Sequence, residues 1–320
     1  MRIAVLDDYQ QAFATMAAFP RLADHEVVVF TDTIKEPVAL AERLQGFDAV
    51  LLTQQRTLLT RATIERLDRL RLVAQTGRLT SHIDLVACSE RGITVCGSPT
   101  GPSIPTMELT WALILASCRH IPEEAASIKA GRWQTTVGTG LSGKTLGVYA
   151  YGRIGSMVAK VGQAFGMRVW CWGRGASLEA AKADGFEAAP SREAFFAESD
   201  VVTLHLPLKP ETRGIVKLDD LQRMQPDALL VNTSRGPLIN QDDLVTALKA
   251  GRPGRAAIDV YDDEPITNPA SQPLLALPNV LCTPHLGYVE RGNYEKLYGG
   301  TVDAILAFAA GSPINVAKPT

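Results

Sequence analysis

The chain has 320 residues, 46% of them hydrophobic and 21% charged, with a formal net charge of -2. That length exceeds what a single hydrophobic core fills, so two domains are expected. The near-neutral charge, with no basic stripe or polybasic run, argues against nucleic acid or a membrane surface as partner.

The N-terminus, MRIAVLDDYQ, reads as a strand followed by acids rather than a secretory leader. No apolar run is long enough to span a bilayer. The five cysteines, Cys88, Cys96, Cys118, Cys171 and Cys282, are scattered, without a CxxC pair or metal-ligand spacing. No metal site is expected, and buried thiols in a reducing cytoplasm are the simplest reading.

Through the first hundred residues, short apolar or β-branched strands are expected at Ile3–Leu6, Val27–Phe30, Ala49–Leu52, Leu72–Gln75 and Thr94–Cys96. Helical periodicity lies between them, at Gln11–Phe19, Pro37–Leu44, Thr60–Leu67 and Ile83–Glu90. This alternation predicts an α/β fold with a parallel sheet covered on both faces. Ligands of such sheets sit beyond the strand C-termini. Two loops therefore stand out, Thr53-Gln54-Gln55-Arg56 and Thr76-Gly77-Arg78. Arg56 and Arg78 are candidates to meet a substrate anion, against the plainer reading of solvated surface arginines. Gly77, directly after a strand, can turn backbone N–H groups toward an anion.

The stretch CGSPTGPSIPT, Cys96 to Thr106, breaks regular structure with Pro99, Gly101, Pro102 and Pro105 and reads as a hinge. Thr106 is expected to cap an apolar helix from Met107 to about His120. Its apolar face suggests burial between domains or subunits.

From Lys144 to Arg174 the sequence is KTLGVYAYGRIGSMVAKVGQAFGMRVWCWGR. Thr145–Ala150 is a buried strand, Tyr151-Gly152-Arg153-Ile154-Gly155 a glycine turn, Ile154 to about Phe165 a helix, and Met167–Trp172 a second strand. Strand, glycine turn, helix and strand make a dinucleotide-binding unit. Gly152 lets backbone approach the pyrophosphate at the helix N-terminus, and Gly155 lets helix pack on strand. Two positions depart from the usual fingerprint. Ala150 replaces its first glycine, a change expected to be tolerated at the end of a buried strand. Gly173-Arg174 stands where an acidic residue would bind a ribose hydroxyl. With no carboxylate there to repel a 2′-phosphate, and with Arg174 able to bind one, NADP(H) is favoured and NAD(H) is the alternative.

Beyond this unit, apolar strands repeatedly end in ionisable or hydroxyl residues. Asp200–Leu204 ends at His205, and Ala228–Asn232 at Thr233-Ser234-Arg235-Gly236. Ala256–Val260 contains Asp259 and runs into Tyr261-Asp262-Asp263-Glu264-Pro265, and Val280–Cys282 ends at Thr283-Pro284-His285. In a doubly wound sheet these ends line one crevice. A histidine can exchange a proton near neutral pH, a carboxylate beside it favours the imidazolium, and a guanidinium can clamp a substrate carboxylate. With a dinucleotide, that set suits reduction of a 2-oxo acid. The residues alone leave open whether His205 or His285 is the acid.

The segments GRIGSMVAK, HLPLKPETRG, LLVNTSRGPLIN, AAIDVYDDEP and NVLCTPHLGY occur in this order. Together they resemble the D-isomer-specific 2-hydroxyacid dehydrogenases over nearly the whole chain. The resemblance implies a Rossmann-type dinucleotide-binding domain over residues 100–286. It also implies a flavodoxin-like substrate domain assembled from residues 1–99 and 287–320, each domain a parallel sheet flanked by helices. It implies a helix over Tyr288–Ala309. It makes Arg235 the substrate-binding arginine, Glu264 the carboxylate partner and His285 the acid/base. His205, Pro207, Thr212, Thr233 and Ser234 then belong to the cofactor pocket, with Asp259 facing the nicotinamide. Arg56, Gly77, Arg78 and Tyr288 fall on the substrate side.

The loop from Thr76 to His82 lacks the second glycine often found there, which leaves the identity of the substrate open. With the sequence ending at Thr320, the regulatory domain some phosphoglycerate enzymes carry is not expected. A homodimer through the cofactor domains is implied as well. A dinucleotide-sensing corepressor on the same fold is the alternative activity class.

Overall fold

The computed structural model describes residues 1–99, 101 and 103–319. Thr100 and Pro102 of the expected hinge lie outside the described residues. The chain divides into two compact units, Met1–Pro102 with Glu290–Thr320, and Ser103–Val289.

The first unit is built on five parallel strands: β1 Arg2–Val5, β2 Glu26–Val29, β3 Ala49–Leu52, β4 Leu72–Gln75 and β5 Thr94–Gly97. Their spatial order is β2-β1-β3-β4-β5. β3 and β4 are buried at every position, which is why they read as unbroken apolar runs rather than alternating ones. One face packs Leu6, Val50, Leu52 and Val73 against Leu40, Leu44 and Ile64. A helix at Arg291–Ala309 returns the chain to this unit and buries Tyr298, whose ring stacks at 5.0 Å on Phe13 and whose hydroxyl lies 3.3 Å from Thr53 Oγ1. It starts three residues later than expected because Glu290 caps it, accepting from the Gly292 and Asn293 N–H groups.

Two local expectations fail here. Gln11–Phe19, expected as one helix, is two separate 3₁₀ turns, Phe13–Thr15 and Phe19–Leu22. The Asp8 carboxylate accepts from Ala12 N and Phe13 N and starts the first turn, while Pro20 starts the second. Thr60–Leu67 shortens to a helix at Arg61–Ile64.

The second unit carries β6 Thr145–Tyr149, β7 Arg168–Trp172, β8 Glu187–Ala188, β9 Val201–Leu204, β10 Leu229–Asn232, β11 Arg255–Ile258 and β12 Val280–Cys282. All run parallel in the order β12-β11-β10-β9-β6-β7-β8. Alternate residues feed two cores. Tyr149, Trp170 and Val202 join one, and Val148, Cys171 and Val201 the other. The apolar helix spans Ile104–Cys118, and Thr106 lies inside it rather than capping it, its hydroxyl donating to Gly287 O at 2.8 Å. A second helix follows at once, Ile121–Lys129, after His120 turns through φ 50°.

Candidate active site

In each sheet the strand order reverses beside the strand that comes first in sequence, and ligands of doubly wound sheets bind in the crevice outside such a reversal. In the second unit this point lies between β6 and β9. β6 runs into the glycine turn, and a helix follows at Arg153–Ala164. Nothing lies within 4 Å of where a Cβ on Gly152 would be, whereas one on Gly155 would be 2.3 Å from Ala150 O. Gly155 is therefore a packing residue. Gly152 has φ -106°, open to any residue, so folding alone does not require a glycine there. No side chain caps the helix's first turn. An open approach to an uncapped helix N-terminus suits a pyrophosphate.

Ala150 occupies φ 74°. Its methyl is tolerated, but in a left-handed conformation that costs about 1 kcal/mol for a non-glycine residue. Tyr151 contributes only its backbone to the turn. Its side chain is buried against Phe186, its hydroxyl donates to Asp184 Oδ2 at 2.6 Å, and its N–H goes to Ser177 Oγ at 2.7 Å. Arg153 is exposed and Ile154 partly buried. After β7, Gly173 offers no side chain, and Arg174 Nη2 lies 3.2 Å from Glu211 Oε1.

His205 follows β9, directly across the switch point. It is held at 3.0 Å by Thr203 Oγ1, and burial pushes its pKa down to about 3. Near neutral pH this favours the uncharged ring. Thr212 spends its hydroxyl on its own loop, donating to Pro207 O at 2.7 Å and accepting from Lys209 N at 2.8 Å. After β10, Thr233 pairs with Thr110 at 2.8 Å and Ser234 donates to Leu206 O at 2.5 Å. Both hydroxyls brace the loop that presents Arg235. Arg235 Nη1 donates to Ser234 O at 2.7 Å. A Cβ on Gly236 would lie 2.4 Å from the Tyr261 carbonyl carbon, so only glycine lets this loop rest on the backbone leading to Glu264.

His285 Nδ1 and Glu264 Oε2 are 2.6 Å apart, both side chains being about four-fifths buried. The other carboxylate oxygen accepts from Tyr261 N at 2.8 Å. A carboxylate can only accept, so it fixes the proton on Nδ1 and leaves Nε2 to exchange one. Tyr288 meets the His285 ring edge to face at 5.5 Å. His285 itself holds φ 53°, and the turn around it is held by Asp259. That carboxylate, fully buried, accepts from Thr283 Oγ1 at 2.6 Å, Leu286 N at 2.7 Å and Gly287 N at 3.0 Å. Burial raises its pKa against those hydrogen bonds. Asp259 thus anchors the histidine turn.

Residues 111–287 match the model of the D-isomer specific 2-hydroxyacid dehydrogenase, NAD binding domain. The chain belongs to the D-isomer-specific 2-hydroxyacid dehydrogenase family. Glyoxylate reductase of Aeropyrum pernix is 35% identical over 97% of this chain and 87% of its own length. D-3-phosphoglycerate dehydrogenase of Methanocaldococcus jannaschii is 39% identical over 82% of this chain and 49% of its own. The chain thus spans about half the length of the phosphoglycerate dehydrogenases it matches. A solved phosphoglycerate oxidoreductase from Vibrio cholerae superposes with a TM-score of 0.94 at 42% identity, covering 97% of this chain and 99% of that one. None of these relatives supports the corepressor alternative. The second unit therefore carries this family's domain for a nicotinamide dinucleotide.

In the first unit the reversal lies between β1 and β3. Arg56 is nearly buried in the loop after β3. Gly77, after β4, takes φ 83° with nothing within 4 Å of its would-be Cβ, and Arg78 is exposed. The sequence reading missed Asp7, two residues after β1. Its carboxylate, 2% exposed, accepts from Thr33 Oγ1 at 2.5 Å and Thr57 Oγ1 at 2.6 Å. Burial raises its pKa, opposed by those hydroxyls and by Arg56. The only sequence signal was a pair of acids immediately after a strand. Among the described residues no group of three or more His, Cys, Asp or Glu could hold a metal ion, no helix is long and apolar enough to cross a membrane, and all five cysteines are free thiols.

Proposed function

We propose that the protein is an NAD(P)-dependent D-2-hydroxyacid dehydrogenase working as a 2-oxo acid reductase. The observation that carries this reading is the Glu264–His285 pair, locked at 2.6 Å on the unit that bears the dinucleotide turn. The nicotinamide, when bound, supplies the hydride. The Gly152 turn and the helix N-terminus behind it would hold the pyrophosphate, with His205, Pro207 and Thr212 forming the pocket wall. Arg235 orients the substrate carboxylate and polarises the neighbouring carbonyl. His285 gives the Nε2 proton to the carbonyl oxygen while Glu264 stabilises the imidazolium. Arg56, Gly77 and Arg78 belong to the substrate side, with Tyr288 as a wall of the histidine. Relatives named glyoxylate reductase and hydroxypyruvate reductase support small 2-oxo acids as the substrate class. A turnover screen over glyoxylate, hydroxypyruvate, pyruvate, phenylpyruvate and branched 2-oxo acids, with both cofactors, tests the reading. Absence of turnover on all of them overturns it.

NADP(H) is the preferred cofactor in this reading. Arg174 is engaged by Glu211, but both side chains are at least half exposed, and such pairs contribute only about 0–1 kcal/mol. A 2′-phosphate can therefore displace the carboxylate at little cost. A hydrogen bond to a charged group is worth roughly 1.5–3 kcal/mol, so Arg174→Ala should lower kcat/KM for NADPH about tenfold and leave NADH unchanged. An NADH preference that Arg174→Ala does not alter would refute this.

The protein is further read as a cytoplasmic homodimer. The second unit exposes Ile121, Ile128, Trp133 and Val137, the last two at 75% and 93%, an apolar patch expected to be covered by a second copy. Light scattering should find a dimer that becomes monomeric in the double variant Trp133→Asp, Val137→Asp. A monomeric wild type removes the assignment.

A further inference from the structure

In the first unit, one buried carboxamide joins the two loops that carry Arg56 and Arg78. Gln75 ends β4 and pairs in register with Leu52, the last residue of β3. Its side chain is 1% exposed. Nε2 donates to Gln54 O and to Thr76 O, both at 2.8 Å, and Oε1 lies 3.0 Å from His82 Nε2.

These contacts leave one proton arrangement. Two carbonyl oxygens can only face the NH₂ end of an amide, so Oε1 must point at His82. His82 Nε2 therefore carries the hydrogen and Nδ1 is bare. Nδ1 is indeed buried without a partner, so a proton there would find no acceptor. Burial holds the His82 pKa down to about 4, and the ring is a neutral, one-sided donor at working pH.

The consequence lies in the loops. Gln54 takes φ 54° and Gly77 φ 83°. A non-glycine residue in the left-handed region costs about 1 kcal/mol and persists only where its surroundings hold it. Here Gln75 holds the Gln54 carbonyl, Thr76 Oγ1 accepts from Gln54 N at 2.6 Å, and Gln55 Nε2 donates to Ser81 Oγ at 2.9 Å. On the Thr76 side the same peptide plane is pinned from its other edge, the Gly77 N–H donating to Ser98 Oγ at 2.7 Å. The backbone entering Arg56 and the backbone entering Arg78 thus share one hydrogen-bonded centre.

We propose that Gln75, oriented by His82, is a positioning residue that locks the loops at 53–56 and 76–78 into a single platform for the substrate carboxylate. This rests on the reading of those loops as the substrate side. Gln75 touches neither substrate nor cofactor in this role.

The test compares Gln75→Leu, similar in volume but unable to hydrogen-bond, with Gln75→Glu, which sets an acceptor against two carbonyls. It also compares His82→Leu with His82→Asn, which keeps an N–H donor. Losing this network should raise KM for the 2-oxo acid about tenfold, the equivalent of one net buried hydrogen bond. kcat at saturation and the Kd for dinucleotide should stay at the wild-type value. His82→Asn should restore KM toward wild type where His82→Leu does not. Amide hydrogen exchange should speed up at residues 54–55 and 76–82 in Gln75→Leu and stay unchanged across the second unit. A folded Gln75→Leu protein with wild-type KM, or one that loses only thermal stability, overturns the proposal. Unchanged exchange at both loops overturns the lock itself while leaving the reaction assignment standing. A wild type that turns over no 2-oxo acid overturns the reaction assignment, and the exchange result then decides the lock.

Discussion

Replacing His285 with Ala is expected to lower kcat for 2-oxo acid reduction by about a hundred- to ten-thousand-fold, the usual contribution of a positioned general acid. Dinucleotide affinity should barely change, because the glycine turn follows a different strand of the sheet. Glu264→Gln is the more discriminating variant. The carboxylate accepts on both oxygens, from His285 Nδ1 and from Tyr261 N. A carboxamide has one accepting end, so one of those two donors must face an NH₂ group. Either the imidazole switches tautomer and accepts at Nδ1, losing the carboxylate that favours its charged form, or the backbone anchor opens. A hydrogen bond to a charged group is worth roughly 1.5–3 kcal/mol, so kcat should fall by about ten- to a hundredfold. The checks are steady-state turnover and a fluorescence titration of dinucleotide on the same samples. If His285→Ala turns over at the wild-type rate, this histidine is not the acid.

The same substitution at two glycines three residues apart should give opposite results. Gly155→Ala places a Cβ 2.3 Å from Ala150 O and 3.1 Å from Val148 Cγ1. Backbone cannot move aside as a side chain can, and overpacking of this kind costs about 1–3 kcal/mol. For a domain of this size each kcal/mol corresponds to roughly 2–4 °C in Tm. Gly152→Ala meets nothing within 4 Å and keeps an allowed backbone. It should cost at most about 1 kcal/mol of helix capping. Its methyl, however, points into the space a pyrophosphate needs, and dinucleotide Kd should rise about tenfold or more, matching the loss of one charge-assisted hydrogen bond. Thermal melts and dinucleotide titrations on both variants check the pair. Wild-type affinity in Gly152→Ala would mean that the phosphates bind elsewhere.

How much of this was legible beforehand depended on what each residue's chemistry announces. Strands buried on both faces announce themselves as apolar runs, and Ala49–Leu52 and Leu72–Gln75 fall where they were expected. The glycine turn and its helix were equally plain, because strand length, glycine spacing and helical periodicity agree there. The helix at Ile121–Lys129 went unread for the opposite reason. Ile121 and Ile128 are both more than half exposed, so its apolar residues trace no inward face. Tyr151 stands in the glycine turn by position, and its ring packs into the core. Position along the chain fixes a backbone more tightly than it fixes a side chain's direction. Asp259 drew notice as an acid at a strand end, but only burial and three hydrogen bonds reveal what it holds. Gln75 and His82 form no motif at all. A neutral amide becomes informative only once its two ends are seen to have different partners.

The first unit is closed by residues that follow the entire second unit in the chain. The helix at Arg291–Ala309 packs on β4 and β5, and the segment after it bonds to β5, with Gly97 N donating to Asn315 O and Ala317 N to Val95 O. During synthesis, β1 to β5 leave the ribosome long before anything exists to cover that edge and face. Domains made of one continuous stretch can fold as soon as they emerge, and here that describes the second unit, not the first. The first part of this unit must wait, partly uncovered, until residues 290–320 have been made. The stretch from 291 to 317 thus acts as a late latch, and the β5 edge stays without its partner segment until it arrives.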